Sequence, residues 1–379
     1  MKRQELLMAV YNPIEMDGRV KRAAAALAAE YRVTLFCPAG PGQYRSDLYE
    51  IRRIRKPAGF GRISVLLYFW WKLLLLTLRL RPAIVYAHDF FLPFPGWICS
   101  RLVGATFVYD AHELFLPEGG ERLSLRSWFF YRLERAVIGR ADLVIAANAE
   151  RAGVMQAHFR LPQRPTPIGN IPPMPVSLLA PAELATLYPA LSRTGPLSVH
   201  VLYMGDVAFE RGLPVLIDSI RHLPEHFKLV FIGAGPDLPA LHVLAEEASP
   251  DRIRVIGPVP HEHIHDVTRT CDIGFVSYSP RGLNNILCAP NKVFEYAQAG
   301  LPMVATCQPP IARMFSEHRI GELVGCNALV RPQEIASALS KIAQRLKKYQ
   351  AALVAFLEAY TWQNEADRLA AKLRSVVEK

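Results

Sequence analysis

No close cysteine pair, no Asp-x-Asp and no complete G-x-G-x-x-G occurs anywhere in the 379 residues. The six cysteines are Cys37, Cys99, Cys271, Cys288, Cys307 and Cys326, and no Cys/His spacing suits zinc. Reduced, mostly buried thiols in a cytosolic protein are the expectation. Without Asp-x-Asp there is no carboxylate pair to bridge a divalent ion to a diphosphate, so neither metal nor cofactor is expected. Gly233-Ala-Gly235 comes late in the chain and is followed by Leu238 where a third glycine would complete the motif, which argues against a nicotinamide site. The N-terminal apolar run is too short for a signal peptide and reads as a first buried strand.

Acidic residues are also missing between Ile51 and His88, a stretch that holds eight Lys and Arg. The imbalance extends further. Residues 1–180 carry 24 basic against 14 acidic side chains, and residues 181–379 carry 20 of each. The whole formal charge of +10 therefore sits in the first half and suggests an anionic partner. Within the acid-free stretch, ISVLLYFWWKLLLLTLRL (63–80) is apolar nearly all round. Lys72 at its centre argues against a membrane span. Two readings stay open: a core helix, or an interfacial helix on anionic lipid with Trp70 and Trp71 at headgroup depth.

What is present is a β-then-α rhythm. Apolar strands at 5–12, 32–38, 83–89, 107–113 and 141–148 are separated by helical stretches, and the rhythm resumes at 200–206, 228–236, 252–260, 271–279 and 301–307. Between them LPQRPTPIGNIPPMP has six prolines in fifteen residues, a stiff connector. The reading is two α/β domains, 1–180 and 181–361, each a doubly wound parallel sheet that binds ligands beyond the strands' carboxyl ends.

Polar clusters fall at those ends. Gly18 precedes a helix and lets a ligand approach the backbone. His88 and Asp89 close one strand; Asp110, His112 and Glu113 close another, with the imidazole suited to a sugar hydroxyl or a backbone carbonyl. In the second half, Gly205 and Arg211 flank a loop before a helix, where a guanidinium would grip phosphate. In APNKVFEYAQAGLP, Lys292 and Glu295 lie three apart on one helical face, one to neutralise phosphate and one to accept from vicinal ribose hydroxyls.

These pieces, in this order, resemble glycosyltransferase family 4, the retaining GT-B enzymes, in a branch with P-N-K ahead of F-E-Y. The resemblance runs nearly end to end, from NPIEMDGRVKRAAAAL through VLYMGD, FIGAGP, VIGPVP and PNKVFEYAQAGLPMVAT to YTWQNEA. It implies two Rossmann-like domains facing a cleft, with helix 362–379 crossing back to the first. It implies transfer of a sugar from a UDP- or GDP-sugar, without a metal, to a glycan acceptor. Catalysis would involve His112, Asp110 and Glu113. The donor would meet Gly18, Gly205, Arg211, Gly233, Gly235, Val259, Asn291, Lys292 and Glu295, and the acceptor Arg19, His88 and Asp89. Three positions depart from the family: Leu287 replaces the first glutamate of E-x7-E, residues 284–291 replace the Gly-Phe-Gly loop, and Asp206 stands where many members have Arg. Together with the basic first half, the resemblance points to a lipid-linked acceptor at the cytoplasmic face of the cell membrane, in surface polysaccharide or glycolipid synthesis. The competing readings are a nucleotide-sugar 2-epimerase, a basic nucleic-acid-binding protein, which the lack of a stacking platform or binding module disfavours, and an inactive scaffold.

Overall fold

The computed structural model describes residues 3–42, 44–117, 124–193, 195, 197–326 and 329–378. It divides into two compact units, residues 1–170 with 362–379, and residues 171–361. The division falls before Ile171 rather than after residue 180. Ile171 is buried in the second unit's core, and Asp266 of that unit accepts from the backbone of Leu178 and Leu179 at 2.9 and 3.1 Å. The extended connector is thereby part of the second unit.

The first unit is built on strands β1 (Glu5–Ala9), β2 (Arg32–Pro38), β3 (Glu50–Ile54), β4 (Ile84–His88), β5 (Thr106–Ala111), β6 (Leu143–Ala146) and β7 (Thr166–Pro167). They form one parallel sheet in the order β3-β2-β1-β4-β5-β6-β7. The order reverses between β1 and β4, the place where such sheets open a crevice. Its helices include α1 (Gly18–Leu27), α2 (Arg62–Leu80), α3 (Pro93–Val103), α4 (Leu125–Val137) and α5 (Ala149–Phe159). Helix α1 shares one core with the C-terminal helix Trp362–Val377, which contributes Leu369 and Leu373. On the other sheet face, Gly96 lets α3 lie close: a Cβ there would stand 2.9 Å from that of Ala87.

Helix α2 has one buried face, as the core reading expects, and one exposed apolar face. Leu66, Phe69, Leu73 and Thr77, at helical spacing, are buried, and the Phe69 ring lies 5.1 Å from Tyr11 and 4.5 Å from Phe36. Ile63, Leu67, Trp71, Leu75 and Leu78 form an exposed stripe, with Ile63 at 70%. By length and composition alone α2 is apolar enough to cross a membrane. Its buried row ties it to the sheet instead.

The second unit has strands β8 (Val199–Met204), β9 (Phe227–Ile232), β10 (Ile253–Gly257), β11 (Ile273–Val276), β12 (Met303–Thr306) and β13 (Gly321–Val324). All pairs are parallel, in the order β10-β9-β8-β11-β12-β13, and the reversal falls between β8 and β11. One cysteine expectation is corrected. Cys307 and Cys326 are joined in a disulfide, with Cα atoms 4.9 Å apart. They follow the paired strand ends Thr306 and Val324, which bring together cysteines 19 residues apart in the chain. Cys37, Cys99, Cys271 and Cys288 are free and buried.

Candidate functional site

In the first unit the polar strand ends form one buried network around Asp110. Its Oδ1 accepts from Arg19 Nη2 at 2.8 Å and its Oδ2 from the Tyr86 hydroxyl at 3.0 Å, while Arg19 Nη1 donates to the Ile168 carbonyl at 2.8 Å. Both side chains are buried. Burial alone would push the Asp110 carboxyl up, but Arg19 and the two histidines outweigh it and hold it well below the usual range. Neither residue is open to a substrate. Asp110 was expected in catalysis and Arg19 at the acceptor; the geometry makes them a pair that fastens α1 to β5 and to the chain after β7.

His88 is corrected in the same way. It has no exposed surface, and its ring stacks on Tyr86 at 4.5 Å. Its Nδ1 lies 3.1 Å from His112 Nε2 and 3.6 Å from Asp110 Oδ2, and its Nε2 has no partner among the described residues. Burial drives its pKa down to about 3, so it is neutral. His112 is the network's outlet. It keeps 15% side-chain exposure, with Nδ1 3.8 Å from Asp17 Oδ2. Burial pushes it down to about 4, against the pull of Asp110, leaving a neutral imidazole. Arg151 Nη1 holds the His112 carbonyl at 2.6 Å.

Asp17 and Arg151 escaped sequence reading. Asp17 caps α1, its Oδ1 accepting from Val20 N at 3.0 Å. An acidic residue just before Gly18 was the available signal. A Cβ on Gly18 would meet the Arg22 guanidinium, Nη1 at 3.1 Å. Asp89 has a left-handed backbone, φ 63°, and its Oδ1 accepts from Phe90 N at 2.8 Å. Burial raises its pKa to about 7. Glu113 is exposed, and its charge adds to the rise in Asp89. His88, Asp110 and His112 offer ligand atoms within 4.8 Å of one another, a spacing open to a metal. The Arg19 guanidinium on Asp110 opposes a second cation there.

In the second unit the site assembles at the carboxyl ends of β8 and β11. Gly205, φ 134°, ends β8. A side chain there would run into the Lys292 ammonium, which lies 4.9 Å from the Tyr203 ring centre. Burial and then the Arg211 charge lower Lys292 to about 8. Arg211 stacks over Tyr278 at 5.4 Å, and its Nε contacts Asp206 Oδ2 at 3.3 Å. Two cations thus converge near a glycine backbone, one of them held by the aspartate that departs from the family pattern. The helix Asn291–Gln298 presents Lys292 and half-buried Glu295. The Oδ1 of Asn291 at its start is buried without a partner among the described residues. The helix seats tightly: Tyr296 OH accepts from Met204 N at 2.9 Å, and a Cβ on Gly274 would strike the Tyr296 ring.

Gly233 and Gly235 have a different task from the one expected. Cβ atoms on them would collide with the backbones of Gly205 and Val207. They let two strand-end turns pack together. Val259 is partly buried and packs on the second unit's core. A pocket of about 490 Å³ beside Arg211 is lined by Tyr278, Ile286, Gln308 and Leu329.

Comparison with known proteins agrees with this architecture. The model of Glycosyltransferase Family 4 matches residues 19–171, and that of Glycosyl transferases group 1 matches residues 198–346. No curated protein matches the sequence. Among solved structures, HepE of Anabaena in complex with UDP and glucose superposes with a TM-score of 0.74 at 16% identity, covering 98% of this chain and 100% of that one. Sucrose-phosphate synthase from Thermosynechococcus elongatus gives 0.71 at 18%, over 99% of each chain. A candidate UDP-N-acetylglucosamine 2-epimerase from Listeria monocytogenes gives 0.66 at 15%, over 99% of this chain and 97% of that one. At such identities the superpositions establish the two-domain GT-B fold, and the two family matches, which together span most of the chain, make this protein a glycosyltransferase of the family 4 type.

Proposed function

We propose that the chain is a retaining hexosyltransferase that takes a UDP- or GDP-sugar and glycosylates a lipid-linked glycan at the cytoplasmic face of the cell membrane, in surface polysaccharide or glycolipid synthesis. The observation that carries the donor side is the convergence of Arg211 and Lys292 on the Gly205 backbone at a sheet switch point. A diphosphate needs two cations and a close backbone, and departure of that diphosphate is the step they would accelerate. Glu295, three residues after Lys292, is the group for ribose, and Asn291 Oδ1 is an acceptor awaiting a donor. That HepE is described with UDP and glucose fits this reading.

On the acceptor side, neutral His112 is the group offered to a sugar hydroxyl, through hydrogen bonding rather than proton abstraction at neutral pH. The step proposed is leaving and attack on one face of the sugar, with the acceptor's proton passing to the departing phosphate oxygen. Arg211 and Lys292 would offset the charge of the leaving diphosphate, and the reaction is proposed to run without a metal.

The test is product analysis. The protein is incubated with UDP- and GDP-sugars and lipid extract, with and without chelator, and products are read by mass spectrometry and anomeric NMR. A glycolipid with the donor's anomeric configuration, formed in chelator, supports the proposal. Free epimerised sugar without a glycosidic product, or activity restored only by magnesium or manganese, overturns the corresponding part.

A further inference from the structure

The exposed stripe of α2 is not isolated. Helix α4 adds Leu125, Trp128 and Phe129, all exposed, Leu125 at 89%. Between the two helices runs an open groove of about 930 Å³. This lies at the upper end of the range of ligand sites, about 300–1,000 Å³. Its walls are apolar, with Ile63, Leu67, Trp70 and Phe129 among them. Among the described residues its charged lining is Lys56, Arg62 and Arg126, with no acid. Each of the three is exposed and makes no ion pair among the described residues. The Nε1 of Trp70 is buried without an acceptor among the described residues. Arg126 lies over the Phe91 ring at 5.7 Å, and no described acid neutralises the three cations, so the apolar trough complements a hydrocarbon chain that ends in an anion.

The groove also reaches the chemistry of its own unit. Tyr11 lines it, two residues past the end of β1. The Tyr11 ring touches Phe91, in the loop after β4 that begins with Asp89. Strand β4 ends in His88, the partner of His112. A chain lying in the groove with its anion toward Arg126 and Tyr11 would therefore hold an attached sugar toward that strand edge.

We infer that the groove between α2 and α4 binds one chain of a lipid phosphate, hydrocarbon on Ile63, Leu67, Trp70 and Phe129 and phosphate on Lys56, Arg62 and Arg126. This deepens the lipid-linked acceptor reading and rests on it for the attached sugar, though binding of the lipid phosphate can be measured by itself. A bilayer surface could meet the same cations, but only a single chain fills a trough.

The test uses the full chain in bilayer-free solution with farnesyl phosphate below its micelle concentration, followed by calorimetry and tryptophan emission. Farnesyl phosphate is expected to bind saturably, with farnesol and inorganic phosphate each much weaker. Arg126→Ala and Phe129→Asp, both at exposed positions, should each weaken binding about tenfold or more, as loss of a charge-assisted or buried apolar contact implies. Melting curves of both variants check the fold. Equal binding of farnesol or of a cationic amphiphile, or indifference to both substitutions, overturns the inference. So does wild-type protein that glycosylates a tail-less acceptor efficiently and binds no farnesyl phosphate, an outcome that leaves the transferase reading standing. Saturable farnesyl phosphate binding in a protein that transfers no sugar would instead keep the groove and remove the transferase reading.

Discussion

Arg19 Nη2 stands 2.8 Å from Asp110 Oδ1, and the two side chains are 7% and 2% exposed. Removing one member leaves the other charged, desolvated and unpaired, which costs about 3–5 kcal/mol. Asp110→Ala and Arg19→Met are each expected to lower unfolding free energy by that amount in urea titrations. The acid side follows from the same contact. The Asp110 pKa is depressed in the folded state, so its contribution is present above the ordinary carboxylate range and is lost as pH falls through it. A loss under 1 kcal/mol in both variants would show that the pair is not the fastening described.

Glu134 presents the opposite sign. It is 1% exposed, its Oε1 accepts from the Tyr109 hydroxyl at 2.6 Å, and burial raises it to about 8. The folded state thus holds a proton that the unfolded chain has released above the ordinary carboxylate range. Stability falls as pH rises, up to about pH 8, by at most about 1.4 kcal/mol per pH unit. Glu134→Gln resembles the protonated acid and removes this slope. Plotted from pH 5 to 8, wild type should lose ground steadily to the variant, and parallel curves would contradict a protonated Glu134.

Ten strands could be read from apolar runs because most are buried on both sheet faces, the edge strand β10 being only partly buried along its middle. The three that escaped have reasons. Strand β3, Glu50–Ile54, is charged and lies at a sheet edge; β7 is two residues long and contains Pro167; β13 begins Gly-Glu. The polar strand ends were legible as a group, but not their individual tasks. Nothing in the spacing of Arg19, His88 and Asp110 tells an inward salt bridge from a ligand contact, since that depends on a pairing 91 residues apart. Gly233 and Gly235 likewise serve contacts with a neighbouring strand end that only topology reveals. The cluster of Lys292 and Glu295 was readable because both lie on one short helix.

Lys292 supplies a sharper test of the donor side. Its ammonium is lowered to about 8 by burial and by Arg211. A diphosphate would raise it again, since an anion favours the charged form. Nucleotide affinity should therefore fall as pH rises above about 8, with proton uptake detectable by calorimetry in buffers of different ionisation enthalpy. Lys292→Met should weaken UDP or GDP binding by about 1.5–3 kcal/mol and abolish the proton uptake. Gly205→Ala should weaken it too, because the new Cβ displaces the ammonium and φ 134° strains an alanine. Affinity indifferent to both changes would move the diphosphate elsewhere.

The last prediction concerns the bare face of α2 as a whole. Lys72 lies over the Trp71 and Tyr68 rings at 4.6 and 5.4 Å, so the stripe carries its own cation among aromatics. Arg132 lies over Trp128 at 5.6 Å on α4. Aromatic rings beside cations suit the boundary between headgroups and acyl chains, where each Lys or Arg near an anionic surface adds about 1 kcal/mol. Co-sedimentation with vesicles should rise with the fraction of anionic lipid and weaken from low to physiological salt. Trp71→Ser with Leu67→Ser should lower partitioning without unfolding the protein, since both side chains are about half exposed and the buried row of α2 is untouched. Replacing Lys72 and Arg79 by Gln should instead reduce the salt dependence and leave the residual binding to neutral vesicles unchanged. The two substitutions separate insertion from attraction. If anionic vesicles fail to capture the protein at low salt, the stripe is a surface for something other than lipid, and the attachment proposed for this enzyme is wrong.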